Sequence, residues 1–406
     1  MQFLLYSPDS FGLGHIRRSV SVAGQLLEDF QDSSARLVTG SPHAHYFEYP
    51  SRCSYIKLPQ VTKNASGQYV SGEPDIPLKQ TVDLRGSVIA QVADGFKGGI
   101  MLVDHSPLGL CGEVTKTLCG LTRGQPGTYR VLGMRDVIDE PEAVKTTWKK
   151  QRVMRVLRCC YDLILVYGQQ ELFDPIQQYD IPRDVSAKMK FVGYIPRRGV
   201  KTEGEALKAR MAPRTGRLVV VTLGGGGDGN LVLEAFLEGY ERLGAEPAFE
   251  VAAITGPQMS DERQARFREW SRKLPGLTLL EYTKQLPDLL EVADFVVSMG
   301  GYNTVCELAC AGARSVIVPR CFPRKEQLVR AKLLAKLGVA SYLTPEQATP
   351  AALIEQVQAG LERPPQKRGW GLEFTGLTRT AEALRQLTRE RKPSQLLPCR
   401  RQPRVA

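Results

Sequence analysis

The sequence predicts an α/β protein with two doubly wound units, and three observations predict this class. The chain has 406 residues, which is more than one hydrophobic core usually serves. Short β-branched runs alternate with amphipathic helical segments along its length, a pattern typical of parallel sheets covered by helices on both faces. A single stretch rich in glycine, proline and basic residues, at 193–216, separates this alternation into two series.

The elements of each series follow from hydrophobic periodicity. The first series has strand-like runs at 3–6, 100–103, 130–132 and 163–166, with long helices at 14–30 and 142–158. The second has strand-like runs at 218–222, 251–254, 295–297 and 315–318, with helices at 230–243 and 261–273. After a break at Pro364 and Pro365, a last amphipathic helix is predicted at 374–391. The polar segment 59–77 is either a mobile loop or a surface insertion without structure.

These elements predict five segments. An N-terminal Rossmann-like domain occupies 1–195, a linker 196–216 and a C-terminal Rossmann-like domain 217–365. A helix within 366–391 is expected to pack back across the linker, and a basic tail covers 392–406.

Composition narrows the function classes. No apolar run is long enough to cross a bilayer, and the N-terminus lacks the zones of a signal peptide, so we expect a cytoplasmic protein. The nine cysteines are scattered, odd in number and have no paired CxxC spacing, so the sequence indicates neither a disulfide framework nor a zinc site. Five positive charges of the +11 net charge lie in the last sixteen residues. A solvated tail or peripheral contact with anionic lipid at the inner face of the membrane explains them; we expect no nucleic-acid partner.

The first candidate site is the turn from Gly12 to His15, directly after the first strand. Glycines at 12 and 14 permit a tight backbone path at a helix N-terminus, where an anion is favoured. His15 can accept a proton near neutral pH and is a candidate general base; a histidine that only bonds within the turn is the alternative. A dinucleotide fingerprint is disfavoured because Arg17 stands where its third glycine is needed.

Two glycine-rich turns follow strands in the second series. Gly225, Gly226 and Gly227 belong to a run after the strand at 218–222, where bare backbone could approach a phosphate or sugar, although no P-loop Gly-Lys-Ser/Thr follows. At 298–307 another strand runs into a helix through Gly300 and Gly301, whose N–H groups suit a pyrophosphate. Glutamate 307 follows about 9 Å further along the helix axis, within reach of ribose hydroxyls.

Together these motifs resemble the MurG and UDP-sugar glycosyltransferase group, families 28 and 1. The resemblance covers nearly the whole chain and is most specific over 218–361. It implies the GT-B fold, in which two doubly wound Rossmann-like domains face a central cleft, with the acceptor on the N-terminal side. It also implies inversion without a metal or cofactor, and a donor linked to UDP. Carried over to this sequence, the donor-binding residues are Gly14, Gly225, Gly226, Gly227, Tyr282, Gly300, Gly301, Asn303, Thr304, Glu307, Glu326 and Gln327.

In that set, Gly300, Gly301, Asn303 and Thr304 take the diphosphate and Glu307 the ribose. Glu326 and Gln327 face the sugar, and the segment 281–283 around Tyr282 passes the base.

Two further strand ends lie on the N-terminal side. Asp104 is a candidate catalytic residue that orients His15 or binds an acceptor hydroxyl, with a plain helix N-cap as the alternative. His105 and Arg135 are candidate acceptor-binding residues; Arg135 suits an anionic group of the acceptor or a local salt bridge with Asp136.

The expected reaction is sugar transfer in which His15 deprotonates an acceptor hydroxyl that attacks the anomeric carbon, displacing a nucleoside diphosphate. One alternative keeps the fold and changes the nucleophile, because the turn at His15 also resembles nucleotide-sugar hydrolases in which a histidine activates water. A non-catalytic module that kept the nucleotide pocket is the third possibility.

Overall fold

The computed structural model describes residues 1–8, 13–64, 68–96, 98–124, 127–196, 204–364 and 366–390, with backbone alone at 122–124. Gly12, the segment 197–203 of the predicted linker and the predicted basic tail at 392–406 lie outside the described residues. The chain separates into two compact units. Unit 1 comprises Met1–Ile195 and Glu373–Ala406, and unit 2 comprises Pro196–Leu372.

Unit 1 is a seven-stranded sheet covered by helices, with a separate two-stranded hairpin. Its elements, in chain order, are β1 (Gln2–Ser7), α1 (Gly14–Asp29), β2 (Ser34–Thr39), β3 (Cys53–Lys57), β4 (Val61–Lys63), β5 (Tyr69–Ser71), α2 (Leu78–Asp94), β6 (Gly99–Asp104), α3 (Thr115–Gly124), β7 (Thr128–Arg135), α4 (Pro141–Gln151), α5 (Val153–Cys160), β8 (Leu163–Tyr167), α6 (Pro175–Gln178), α7 (Arg183–Ser186) and β9 (Met189–Phe191).

Unit 2 is a six-stranded sheet covered by helices. Its elements are α8 (Gly204–Met211), β10 (Leu218–Thr222), α9 (Asn230–Glu241), β11 (Glu250–Ile254), α10 (Asp261–Ser271), β12 (Leu277–Leu280), α11 (Leu286–Val292), β13 (Phe295–Ser298), α12 (Tyr302–Ala311), β14 (Ser315–Ile317), α13 (Glu326–Lys336), β15 (Ser341–Tyr342) and α14 (Pro350–Leu361). The last helix of the chain, α15 (Gly376–Glu390), returns to unit 1.

Both large sheets are parallel throughout, which confirms the predicted α/β class with two Rossmann-like sheets. The strand order is β3-β2-β1-β6-β7-β8-β9 in unit 1 and β12-β11-β10-β13-β14-β15 in unit 2. The central strands β1, β8, β10 and β11 are apolar and almost wholly buried, as strands covered by helices on both faces must be.

The helix α15 packs on α1 within unit 1. Its apolar stripe of Leu377, Ala381, Leu384 and Leu387 is buried, as the helical spacing of these residues predicts. At the edge of this packing, Arg385 lies over the ring of Phe30 at 5.2 Å and pairs with Asp29 at 3.2 Å.

Three local predictions were wrong. The helix predicted at 142–158 is two helices, α4 and α5, because Arg152 has a left-handed backbone (φ 55°) that interrupts it. The segment 59–77, expected to lack regular structure, contains the antiparallel pair β4 and β5. The interval 196–216, expected to be only a linker, contains α8, which packs on α11 and is tied to the start of β13 by Lys208 and Asp294 at 2.9 Å.

Among the described residues, no helix is both long enough and apolar enough to cross a membrane.

Candidate active site

Each large sheet has one point at which its strand order reverses. In unit 1 this point lies between β1 and β6, and in unit 2 between β10 and β13. The loops that leave two such strands run in opposite directions, which opens a crevice at the carboxyl ends where α/β proteins bind ligands. The three glycine turns and Asp104 singled out from the sequence lie at the ends of these four strands, and Arg135 ends the next strand, β7. The topology therefore brings the predicted motifs together in pairs, one pair in each unit.

In unit 1 the paired residues are His15, at the start of α1, and Asp104, the last residue of β6. His15 Nδ1 lies 2.7 Å from Asp104 Oδ2. The same carboxylate accepts two hydrogen bonds from the guanidinium of Arg18, from Nε to Oδ1 at 2.8 Å and from Nη2 to Oδ2 at 2.7 Å. His15 thus contacts the carboxylate that was predicted to orient it.

This geometry assigns the imidazole tautomer. Asp104 is a carboxylate, because burial raises its pKa less than Arg18 and His15 lower it, and the pKa lies at about 2. An ionised carboxylate only accepts, so Nδ1 of His15 carries the proton and donates it, which leaves Nε2 as the basic nitrogen. Arg18 Nη2, 3.0 Å from Nδ1, is then a neighbouring charge and not a bonding partner of the ring.

The proton affinity of His15 is low. Burial lowers its pKa to about 4, the contact with Asp104 opposes this change, and the charges of Arg18 and Arg135 add to it. The ring is neutral near pH 7 and can accept a proton there. One-fifth of its side chain remains exposed, so the imidazole is accessible.

Arg18 belongs to this cluster, although the sequence analysis gave it no role. Its side chain is 2% exposed, and its guanidinium lies 5.7 Å from the centre of the Tyr167 ring. Burial is the main reason that the pKa of this tyrosine is raised, so it remains neutral. The available signal was spacing, because Arg18 follows His15 by three residues and shares its helix face.

The candidate acceptor residues His105 and Arg135 contact each other beside this dyad. Arg135 Nη2 lies 2.9 Å from His105 Nε2, and the rings of His105 and His15 are 5.1 Å apart. His105 has a left-handed backbone (φ 62°), an uncommon conformation for histidine that turns the chain just beyond Asp104. Asp136 is buried and accepts a hydrogen bond from the Tyr194 hydroxyl at 2.7 Å.

A second buried network holds the loop that follows His105. The Glu113 carboxylate accepts hydrogen bonds from Arg85 Nη2 and from the Tyr6 hydroxyl, both at 2.6 Å. Arg85 also donates to the Pro59 carbonyl at 2.7 Å, and the Leu110 N–H donates to the Tyr6 oxygen at 3.0 Å. Arg85 lies on α2, Tyr6 on β1, and Leu110 and Glu113 in the loop after β6. The network therefore ties that loop to α2 and β1.

In unit 2 the backbone of the loop after β10 packs tightly against the backbone of the loop after β11. Gly226 has φ 89°, and a Cβ there would come within 2.2 Å of the Thr255 carbonyl oxygen. The Gly225 carbonyl accepts from the Gln258 N–H at 2.9 Å, which ties the loop to the one after β11. Gly227 continues the same turn, towards α9. A side chain at position 226 would therefore push the two loops apart.

The turn after β13 leads into α12 through Gly300 and Gly301. Gly300 has φ 73°, its N–H donates to Ser298 Oγ at 3.1 Å, and a Cβ there would lie 2.6 Å from Ile317 Cγ2. Gly301 is the N-cap of α12 and makes no side-chain cap hydrogen bond. A Cβ built on Gly301 would meet nothing closer than Thr304 Oγ1 at 4.0 Å. The start of this helix is thus bare backbone with room beside it, as binding of a diphosphate requires.

The remaining predicted donor residues lie around this helix start. Asn303 and Thr304 are half-buried in the first turn of α12, and Glu307 is 4% exposed one turn further on. Tyr282 is half-buried, just beyond β12. The backbone carbonyl of its neighbour Glu281 accepts a hydrogen bond from the Gly256 N–H at 3.0 Å.

Glu326 and Gln327 begin α13 and are both bonded to Arg320. Arg320 Nη2 donates to Glu326 Oε1 at 2.5 Å, and the Arg320 backbone N–H donates to Gln327 Oε1 at 2.8 Å. Arg320 Nη1 reaches Asp228 Oδ2 at 2.8 Å, at the end of the glycine loop. Burial disfavours the charge on Arg320, but Glu326 and Asp228 hold its pKa above the ordinary value. Arg320, which the sequence reasoning also missed, therefore joins the loop after β10 to α13.

Comparison with known proteins finds glycosyltransferase relatives for part of the chain. Residues 219–369 match the model of the glycosyltransferase family 28 C-terminal domain. The chain is 32% identical over 148 residues to the UDP-N-acetylglucosamine–N-acetylmuramyl-(pentapeptide) pyrophosphoryl-undecaprenol N-acetylglucosamine transferase of Rhodopseudomonas palustris, covering 35% of this chain and 38% of that protein. It is 26% identical over 216 residues to an uncharacterized glycosyltransferase of Methanopyrus kandleri, covering 51% of this chain and 56% of the relative. The chain thus spans well under two thirds of the length of these curated relatives.

Solved structures match over almost the whole chain. MurG of Acinetobacter baumannii has a TM-score of 0.58 at 13% identity, covering 95% of this chain and 99% of that one. A calicheamicin glycosyltransferase has a TM-score of 0.59 at 16% identity, covering 96% and 98%. At these identities the likeness shows the fold.

The fold and the matched domain together define the class: this is a two-domain α/β protein with the GT-B fold, as the sequence predicted. It resembles the MurG and UDP-glycosyltransferase group, and the family 28 match lies within unit 2.

Proposed function

We propose that the protein is a glycosyltransferase that moves a sugar from a nucleoside-diphosphate donor to an acceptor hydroxyl, with inversion. The observation that carries the proposal is the overlap between the family 28 match at 219–369 and the bare glycine turn at the start of α12. Unit 2 supplies the donor site and unit 1 supplies the base. The protein needs no cofactor beyond its substrates.

The proposed donor is a UDP-linked hexose or N-acetylhexosamine. The named bacterial relatives use UDP-N-acetylglucosamine, which makes this sugar nucleotide the first to test. The diphosphate would accept hydrogen bonds from the N–H groups at Gly301, Asn303 and Thr304, with the positive end of α12 taking the place of a metal. The Glu307 carboxylate would accept from the ribose hydroxyls.

The proposed chemistry uses His15 and Asp104. As the acceptor oxygen attacks the anomeric carbon, its proton moves to His15 Nε2, and the diphosphate leaves with the bonding electrons. The Nδ1–H bond to Asp104 holds the ring in the required tautomer and stabilises the imidazolium that forms. Negative charge grows on the departing diphosphate, so the α12 N-terminus stabilises the transition state more than the ground state.

The acceptor is proposed to contact His105 and Arg135, whose side chains lie beside His15. The basic tail at 392–406, outside the described residues, is proposed to touch anionic lipid from the cytoplasmic side.

The test is turnover of UDP-N-acetylglucosamine labelled in the sugar, followed with and without aqueous and lipid extracts of cells. Transfer requires that UDP release depend on an extract and that label appear in a new product. Release of free sugar without extract would show a hydrolase in which His15 activates water. Tight donor binding without turnover under any condition would show a non-catalytic module.

Two variants control this assay. His15→Asn should abolish turnover while donor binding is kept, and Glu307→Gln should weaken donor binding. If His15→Asn turns over at the wild-type rate, the assignment of the base is wrong.

A further inference from the structure

The side chain of Arg330, on α13, is buried against the turn at Gly300. It is 4% exposed, its Nη1 donates to the Gly300 carbonyl oxygen at 3.3 Å, and its guanidinium carbon lies 5.7 Å from the centre of the Tyr302 ring. Tyr302 is the first residue of α12. Arg330 therefore contacts both ends of the turn that begins the proposed diphosphate site.

Unlike three other buried arginines, Arg330 has no carboxylate partner to balance its charge in the described part of the chain. Arg18, Arg85 and Arg130 each pair with a buried carboxylate at 2.6 to 2.8 Å. Within the part of the chain that the structure describes, Arg330 has no ion pair, and its Nε and Nη2 atoms are buried without a hydrogen-bond acceptor. A buried cation without a counter-ion is unfavourable. An anion bound close by would offset this cost.

The atom that Arg330 contacts connects it to such an anion. The Gly300 carbonyl and the Gly301 N–H belong to one planar peptide group. A cationic donor on the carbonyl oxygen polarises the group and makes the N–H a stronger donor. That N–H lies at the exposed start of α12, where the donor diphosphate is proposed to bind.

Arg330 also restrains the backbone of this turn. Gly300 is held in its left-handed conformation by the Ser298 hydroxyl on its N–H and by Arg330 on its carbonyl. Packing against Tyr302 alone would not require a charge, because a methionine fills such a space without desolvating a cation.

We propose that Arg330 is a positioning residue for the donor diphosphate, acting through the Gly300–Gly301 peptide and by its uncompensated positive charge. This inference rests on the proposed function, since it assumes that a nucleoside diphosphate binds at the start of α12. Arg330 does not touch the ligand in this arrangement. Its effect is therefore specific to the phosphates and does not extend to the nucleoside.

The experiment compares the affinities of UDP and uridine, measured by calorimetry and by ligand-observed NMR, for Arg330→Met, Arg330→Lys and wild type. Arg330→Met should weaken UDP binding on the order of 10-fold, because the Gly301 N–H becomes a weaker donor and a nearby positive charge is lost. Uridine affinity should not change. Arg330→Lys keeps the charge and a donor and should recover part of the UDP affinity. The matched control is Arg242→Met, which removes the same charge from an exposed position on unit 2.

The outcomes separate the two proposals. If wild type binds UDP but Arg330→Met binds it equally well, or if UDP and uridine weaken together, Arg330 has only a structural role and the inference is refuted. If Arg330→Met does not fold, the same comparison of UDP and uridine affinity is made between folded Arg330→Lys and wild type, and it decides whether Arg330 positions the diphosphate. If wild type binds neither UDP nor any other nucleoside diphosphate, the donor site itself is wrong and the role of Arg330 is refuted with it.

Discussion

Replacing Asp104 by asparagine tests whether the carboxylate between His15 and Arg18 acts in catalysis or only in folding. The substitution keeps the size of the side chain and removes its charge. Asp104 accepts one hydrogen bond from His15 and two from Arg18, and the side chains of Asp104 and Arg18 are each 2% exposed. Asparagine offers one acceptor oxygen for these three donors, and its amide N–H groups would face other donors.

The expected loss of stability is large because Arg18 would remain charged and buried. Breaking a buried ion pair by removing one partner costs about 3–5 kcal/mol. Arg18→Met combined with Asp104→Asn removes both charges, so the double variant should recover most of that stability. Activity should not recover. His15 would still lack the negative charge that stabilises its imidazolium, and we expect turnover to fall by about 10² to 10⁴ in both variants.

The assay pairs urea unfolding, followed by circular dichroism, with UDP release from the donor. A stability rescue without a rescue of turnover would show that Asp104 acts on His15 independently of its ion pair. Recovery of turnover in the double variant would refute this reasoning, because it would show that Asp104 serves only to neutralise Arg18. The donor affinity, which belongs to unit 2, is the internal control and should not change.

Three further predictions concern the pH dependence of stability, the pH dependence of activity and the strain at Gly300. The pKa of His15 is lowered in the folded state from 6.5 to about 4, so its contribution to stability is present above pH 6.5 and is lost as the pH falls towards 4. This loss amounts to about 3 kcal/mol, and pH-dependent urea unfolding should show it in wild type and not in His15→Asn. The acid limb of kcat/KM should have its midpoint near pH 4, and Arg18→Met should move it to higher pH because a neighbouring positive charge is removed. Gly300→Ala should destabilise unit 2 by about 1–3 kcal/mol and weaken UDP binding, since its Cβ would meet Ile317. Gly216→Ala, at a similar φ of 67° with nothing within 4 Å, is the control for backbone strain alone and should leave UDP affinity unchanged.

The fold class was predictable because its signals are local. Buried parallel strands read as short apolar runs, and β10 (Leu218–Thr222) occurs where the sequence predicts it. Edge strands carry a weaker signal. β3 is partly exposed and β15 has two residues, so neither appeared as an apolar run. The break at Arg152 had no glycine or proline to indicate it.

The candidate site was predictable only in part, for a reason that differs between the units. The sequence signal for the turn at Gly300 is local, because the strand, the glycines and the helix follow one another directly in the chain. The ion pair beside His15 is not local, because Arg18 and Asp104 are 86 residues apart and nothing in the sequence shows that these two residues pair. Arg320 and Arg330 were missed because a basic residue near a helix start is ordinarily solvated. Their burial depends on packing that no local pattern encodes.

The two units use different means to handle charge, and this difference fits the role proposed for each. A diphosphate carries its charge permanently, so fixed backbone N–H groups at a helix start suit it, and glycine is the residue that exposes them. A base must change its charge during the reaction, so its surroundings need side chains that set a pKa, here Asp104 against Arg18. A substitution in the glycine turns of unit 2 should therefore act mainly through backbone shape, and its effect should vary little with pH. A substitution around His15 should instead shift the pH profile even where the fold is unchanged.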